Sequence, residues 1–310
     1  MNILVTGGAG FIGSHIVDAY IAAGHRVVIA DDLSTGLREN LNPSAQFVEL
    51  DIRDDRSVED LFKSEQFDVL NHQAAQMDVR RSVTDPAFDA SVNVIGMLHL
   101  LECCVRYGVR KVVFASSGGA IYGEQEYFPA DEKHPLHPIS PYGVAKLTTE
   151  NYLHYYDVVH QIKSVCLRYG NVYGPRQNPK GEAGVIAIFA SKMLGGEEPI
   201  VNGDGSQTRD YVFIADVVQA NVLALGCSTS DAFNVGTGIE TNVNELFQHV
   251  KKLTRSPAGE EHGPAKAGEQ RRSVLSNEKI ASQLGWKQSV SLSDGLAKTV
   301  EFFRTPRGNG

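Results

Sequence analysis

Along the chain, short apolar runs alternate with segments whose apolar positions have helical spacing. Ile3, Leu4 and Val5 form a short apolar run, and after a glycine turn Ile12, Ile16, Val17, Tyr20 and Ile21 fall on one face of a helix. Runs at 26–30, 46–50, 67–70, 109–115 and 164–168 have the length and composition of strands, and helical spacing near 57–63, 86–107 and 141–159 lies between the later ones. Strands that alternate with helices in this way pair in parallel and carry helices on both faces. From about Gly170 the texture changes to longer loops rich in glycine, proline and charge, with helices expected near 184–195, 216–225, 242–253 and 292–303. Asn242, followed three residues later by Glu245, has the form of a capping box, and the weakest order is expected across 256–269. The expected fold class is α/β: a doubly wound parallel sheet in residues 1–169, joined by about 212–235, with a smaller C-terminal lobe in 170–310.

Ligands of such sheets sit beyond the carboxyl ends of the strands. Residues able to do chemistry gather at those ends here: Gly7 to Gly13, Asp31, Asp51, Gln73 to Ala75, Ser116, Ser117 and Asn171. The first turn reads as Gly7-x-x-Gly10-x-x-Gly13 or as Gly8-x-Gly10-x-x-Gly13. In either reading glycine lets the backbone approach a pyrophosphate at the positive end of the following helix. The next strand ends in Asp31 and Asp32, where a carboxylate accepts from adenosine ribose hydroxyls and repels a 2′-phosphate. Strand, glycine turn, helix, strand and acid come in the order of a dinucleotide-binding Rossmann unit, which favours NAD over NADP.

Composition narrows the field. The 310 residues are 42% hydrophobic and 21% charged, ordinary for a globular protein. Apolar stretches all fall short of the ~18 residues of a membrane span. Met1 runs almost straight into the first strand, so a soluble cytoplasmic protein without a secretory signal is expected. Cys103, Cys104, Cys166 and Cys227 form no CxxC pair and read as free thiols in reducing surroundings. A net charge of −8 argues against a nucleic-acid partner and leaves any phosphate site to local Arg, Lys and backbone donors. The ten histidines do not cluster, so no metal site is expected; His134 and His137, each followed by proline, read as surface loop residues.

The run Ser140-Pro-Tyr-Gly-Val-Ala-Lys146 stacks Tyr142 and Lys146 one turn apart on a helix face, and a phenol beside a fixed cation can act as a base. With the glycine turn, Asn71-His-Gln-Ala-Ala75, Asn93, Ser116-Ser117, Leu167-Arg-Tyr-Gly-Asn-Val-Tyr-Gly-Pro-Arg176 and Gly203-Asp-Gly-Ser-Gln-Thr-Arg-Asp-Tyr211, this pair completes an ordered set of motifs over nearly the whole chain. The sequence thereby resembles the extended short-chain dehydrogenase/reductase superfamily. Within it, Ser116-Ser-Gly-Gly-Ala-Ile-Tyr-Gly123 and Tyr173-Gly-Pro-Arg-Gln177 are similar to short prokaryotic nucleotide-sugar 4-epimerases of the UDP-glucose/UDP-galactose type. Relatives that dehydrate or decarboxylate carry carboxylates in the loop after the fifth strand. The loop here has none and supplies no general acid for eliminating water. Another nucleotide-sugar enzyme of the superfamily, a dehydratase, a uronate epimerase or a decarboxylase, is the competing reading.

The resemblance implies a catalytic set of Ser117, Tyr142 and Lys146, with Ser116 the other candidate for the serine. Lys146 and the nicotinamide would both favour the phenolate. Contacts to NAD are implied for Gly7, Gly10, Phe11, Ile12, Gly13, Asp31, Asp32, Leu33, Ser34, Thr35, Gly36, Asp51, Ile52, Gln73, Ala74, Ala75, Asn93 and Tyr169 as well as the catalytic pair. Contacts to a UDP-hexose are implied for Gln76, Ser117, Tyr142, Asn171, Val185, Ile186, Val201, Arg209, Lys266, Glu269 and Ser273. Lys266 stands where the family usually has arginine, so a point charge replaces a bidentate fork. Ser273 occupies the position facing the sugar's C2 substituent, where a small side chain leaves volume for an N-acetyl group. A homodimer through a four-helix bundle, built from the helices near 86–107 and 141–159, is also implied; Val92, Val94, Ile95, Met97 and Leu98 cover more than one helix face.

Overall fold

A computed structural model describes residues 1–179, 184–265 and 270–305. The first half alternates as the apolar pattern requires: β1 (Asn2–Thr6), α1 (Phe11–Ala22), β2 (Arg26–Asp31), β3 (Gln46–Glu49), α2 (Asp55–Ser64), β4 (Val69–His72), α3 (Val79–Thr84), α4 (Pro86–Ala90), α5 (Gly96–Tyr107), β5 (Lys111–Ser117), α6 (Pro141–His160) and β6 (Lys163–Tyr169). There follow β7 (Asn171–Tyr173), α7 (Val185–Leu194), β8 (Ile200–Asn202), β9 (Thr208–Phe213), α8 (Ile214–Gly226), β10 (Asp231–Val235), β11 (Glu240–Asn242), α9 (Val243–Thr254), β12 (Glu261–Gly263), β13 (Arg272–Ser273), α10 (Glu278–Leu284) and α11 (Leu292–Arg304).

Seven strands make one parallel sheet in the order β10-β6-β5-β4-β1-β2-β3. Strand order reverses between β1 and β4, so a crevice opens at their carboxyl ends. The sheet is buried on both faces, which explains why its strands read as continuous apolar runs rather than alternating ones. One face packs Leu4, Val28, Leu70, Val112 and Phe114 with Leu61, Leu101, Leu153 and Tyr156. The other packs Ile3, Val5, Val113 and Leu167 with Ile16, Val17 and Val217, and this core runs on into the second lobe through Phe189, Leu246 and Trp286. β10 returns to the sheet beside β6, and α8 packs on α1. The second lobe holds β9 between β11 and β13, with β7 paired to β9, and β8 beside β12.

Four expectations need amendment. The segment 86–107 is helical throughout, 22 residues with a mean hydropathy of 1.4, and is therefore long and apolar enough to cross a membrane. It nonetheless carries the buried polar residues Asp89 and Asn93 and packs against α2 and α6, as a core helix does. Its turn at Ser91–Ile95 is π-helical, an irregularity often found beside functional sites. His134, expected on the surface, is 2% exposed; its Nε2 accepts from the Glu126 amide at 2.8 Å and so organises the loop before α6. The capping box of α9 is half formed: Asn242 Oδ1 accepts from the Glu245 amide at 2.8 Å. Part of the segment expected to be least ordered pairs as β12 with β8, while 266–269 lie outside the described residues.

Candidate active site

The glycine turn sits against the end of β4. Gly7 has φ +69°, and a Cβ there would stand 2.6 Å from the Ala74 nitrogen; a Cβ on Gly13 would run into the Gly7 carbonyl. α1 begins after Gly10 without a side-chain cap, so the Phe11 and Ile12 amides are available to an anion. Asp31, 6% exposed, accepts from the Ala9 and Leu33 amides at 2.9 Å each. Burial nevertheless raises its carboxyl above the ordinary range. Gly36 closes over it so tightly that a Cβ would lie 2.7 Å from Asp31 Oδ1. Asp32 accepts from the amide and hydroxyl of Ser34, and Thr35 is exposed beyond them. Asp51 is held by the Arg53 guanidinium, which lowers its carboxyl, and Ile52 packs under Gly96.

At the β4 end a polar cluster is buried. Gln73 Nε2 donates to Asn71 Oδ1 at 2.7 Å, Asn71 donates to Asn221 and Tyr20, and Asn221 Nδ2 donates to the Tyr169 hydroxyl at 2.8 Å. Gln73 Oε1 is buried without a partner among the described residues, an acceptor left for a bound group. A turn that admits no side chain, an uncapped helix start, an acid beyond β2 and this orphan acceptor together fit a dinucleotide.

α6 presents the catalytic candidates. Ser140 caps it, accepting from the Gly143 amide at 3.1 Å, with Pro141 at its first position. A Cβ on Gly143 would lie 2.5 Å from the Ala120 carbonyl oxygen, so the helix start and the serine loop touch. Ser117 stands near enough to the Tyr142 phenol to favour its charged form. Ser116 turns the other way, its Oγ donating to Glu150 Oε1 at 2.5 Å. Lys146 is 3% exposed, donates to the Ala115 carbonyl at 2.8 Å and lies 4.8 Å from the Phe114 ring centroid.

Burial, and then the charge of Asp89, push the Tyr142 phenol up to about 12, while Ser117 opposes them. The Lys146 ammonium is directed to the Ala115 carbonyl and the Phe114 face and stands 5.7 Å from the Tyr142 ring centroid. Lys146 itself is brought down to about 8 by burial, against the pull of Asp89 and Glu150.

Two implied contacts are occupied internally. Asn93 accepts from the Gln76 amide at 2.9 Å and donates to the Gln76 carbonyl and to Asp89. Gln76 Nε2 donates to the Asp78 carbonyl and to Asp89, and its Oε1 accepts from the Asp78 amide. Both side chains shape the loop after β4.

The second lobe brings its candidates to one edge. Asn171 opens β7, its Oδ1 3.8 Å from where a Cβ on Gly119 of the serine loop would stand. Val185 and Ile186 begin α7, which has no side-chain cap behind Gly184. Val201 is buried in β8. Arg209 donates to the Thr208 carbonyl and pairs in register with buried Ser273 across β9 and β13. Lys266 and Glu269 lie outside the described residues. Among the described residues no cluster of three or more His, Cys, Asp or Glu could hold a metal.

Residues 3–236 match the model of the NAD dependent epimerase/dehydratase family. The chain belongs to that family. It is 47% identical over 302 residues to a putative UDP-glucose 4-epimerase of Methanocaldococcus jannaschii, covering 97% of this chain and 98% of that one. The structure of a UDP-glucose 4-epimerase from Thermotoga maritima, solved with UDP-glucose, superposes with a TM-score of 0.97 at 50% identity, over 98% of this chain and 99% of the other. A Thermus thermophilus UDP-glucose 4-epimerase, solved with NAD, gives a TM-score of 0.94 at 45% identity, over 98% and 99%.

Several members of the site escaped the sequence reading. The buried ion pair Glu150–Arg168, with an N···O distance of 2.6 Å, ties α6 to β6 and holds Ser116. His72 takes a 2.7 Å hydrogen bond with Thr6, stacks on Phe114, and is brought down to about 3 by burial and then by Lys146, so it stays neutral. Asn221 and Asp89 complete the polar clusters. Glu150, one turn beyond Lys146, carried a spacing signal; Asn221, far along the chain on α8, carried none.

Proposed function

We propose that this chain interconverts UDP-glucose and UDP-galactose by reversible oxidation at C4, with NAD as resident cofactor. The observation that carries this is the serine loop packed against the start of α6, with Ser117 beside Tyr142 and no carboxylate in the loop. Gly7, Gly10, Phe11, Ile12, Gly13, Asp31 and the Gln73–Tyr169 cluster would hold the cofactor. Bound NAD supplies a hydride acceptor and returns the same hydride.

The residues do the rest. Ser117 donates to the sugar's O4 and Tyr142 takes the O4 proton, for which its phenol must be lowered from about 12 by a positive charge arriving nearby. Lys146 supplies a fixed positive charge on the same helix face and can donate to ribose hydroxyls. Arg209 and the α7 amides are placed to hold the diphosphate, and Asn171 lies beside the serine loop. Held through its nucleotide, the 4-keto sugar turns its other face to the hydride donor, and Tyr142 returns the proton. Water elimination would need a further acid or base, and Glu150 is held by Arg168 and Ser116.

Buried, small Ser273 supports activity on UDP-GlcNAc and UDP-GalNAc as well. Exposed Val144, Tyr152, Tyr155 and Val159 form a stripe on α6 next to exposed Ile95, while Met97 points inward; this supports a homodimer through these helices. The described cysteines are free thiols, which suits the cytoplasm.

The test is to incubate the purified protein separately with UDP-Glc, UDP-GlcNAc, UDP-GlcA and dTDP-Glc and to identify products by NMR. C4 epimers of the first two are expected. A dehydrated or decarboxylated sugar would overturn the reading.

A further inference from the structure

Asp89 is a buried carboxylate of the site that makes no close ion pair among the described residues. It lies on α4, is 1% exposed, and shares Oδ1 between Gln76 Nε2 at 2.9 Å and Asn93 Nδ2 at 3.0 Å. Its Oδ2 is buried with no hydrogen-bond partner among the described residues. A carboxylate so placed is costly to bury unless a positive charge faces it. α4 packs directly on α6, and Thr149 Oγ1 of α6 donates to the Asn93 carbonyl at 3.1 Å, which fixes the two elements together.

The groups facing this point can be named element by element. Asp89 acts on Tyr142 and Lys146 of α6; around Lys146 stand Glu150 of α6 and His72 of β4, with Arg168 of β6 and Ser116 of β5 on Glu150, and Gln76, from the loop before α3, meets both Asp89 and the Asp78 carbonyl. Glu150 is neutralised by two hydrogen bonds from Arg168, Nε at 3.0 Å and Nη2 at 2.6 Å. His72 is neutral, and Asp78 caps α3. Arg81 lies with its guanidinium 3.9 Å from the Phe88 ring centroid, and Arg53 approaches the same ring at 5.1 Å. Of the carboxylates beside Lys146, Glu150 already has its cation, which leaves Asp89.

We propose that Asp89 is the counter-charge of the catalytic pair, a positioning residue that holds Lys146 as ammonium and Tyr142 as phenol. The inference rests on reading Tyr142 as the C4 base. Its physical content is a conditional base: the charge that keeps Lys146 protonated in a dry site also keeps the phenol from ionising until a further positive charge arrives. The shifts agree in sign, since Asp89 raises both Tyr142 and Lys146.

Lys146 provides the accessible readout, because its midpoint near 8 stands apart from ordinary lysines. The protein labelled with ¹³Cε-lysine is titrated by NMR, with Lys146→Arg assigning the resonance. In Asp89→Asn the Lys146 midpoint falls by about one pH unit, and the alkaline limb of kcat moves down with it. Asp89→Glu retains the wild-type midpoint even where its rate is lower. Should Asp89→Asn fail to fold, Asp89→Ser, which leaves room for a water, carries the same measurement. An unchanged midpoint in a folded neutral variant overturns the proposal, as does a lower rate with neither limb displaced. A displaced midpoint in a protein without epimerase activity would instead sink the functional reading and leave the charge pairing standing.

Discussion

The two halves of the crevice are built by opposite means. On the sheet side, Ser117, Tyr142 and Lys146 come from one strand end and the first turns of one helix, all close to a dry polar network of Glu150, Arg168, Ser116 and Tyr122. On the lobe side, Asn171, Val185, Arg209 and Ser273 come from four short elements joined by β9 pairing and loops. The first half fixes geometry through burial, as proton transfer demands. The second offers polar edges and helix amides, which suits holding a charged nucleotide while a sugar turns.

Substitutions should separate these halves. Tyr142→Phe is expected to lower kcat by about 10³ with the melting temperature unchanged; a smaller loss would move the base elsewhere. Glu150→Gln strands Arg168 and is expected to cost ~3–5 kcal/mol of stability, seen as a large fall in denaturation midpoint. Equal stability would show that the network under the catalytic helix does not anchor it. Arg209→Ala is expected to cost about 2 kcal/mol of substrate binding, raising KM roughly thirtyfold with kcat little changed. If kcat falls and KM does not, the lobe does more than hold. Ser273→Tyr is expected to reduce kcat/KM for UDP-GlcNAc relative to UDP-Glc by about tenfold. An unchanged ratio would remove Ser273 as the gate.

Legibility in the sequence followed the same division. Short apolar runs and helical spacing predicted the strands of the first half and its helices other than α3 within a few residues, because buried parallel strands must be apolar. The glycine turn was readable because only glycine fits where Gly7 meets Ala74. β10 was visible only as part of a segment returning to the sheet, and β13, two residues long, has no pattern of its own. The choice between Ser116 and Ser117 was not readable either, since adjacent residues on a strand point to opposite faces and only the surroundings say which face holds Tyr142.

By itself the sequence determined the alternating architecture, the cofactor cradle, the Tyr142–Lys146 spacing and the absence of carboxylates from the serine loop, all of which are local in the chain. Tertiary structure decided what each charge meets. It turned Ser116 to Glu150, aimed Lys146 at Ala115, tied Gln76 to Asn93, and left Asp89 Oδ2 without a hydrogen-bond partner among the described residues. Electrostatics depends on distance and burial, and neither is a property of sequence spacing once partners lie on different elements.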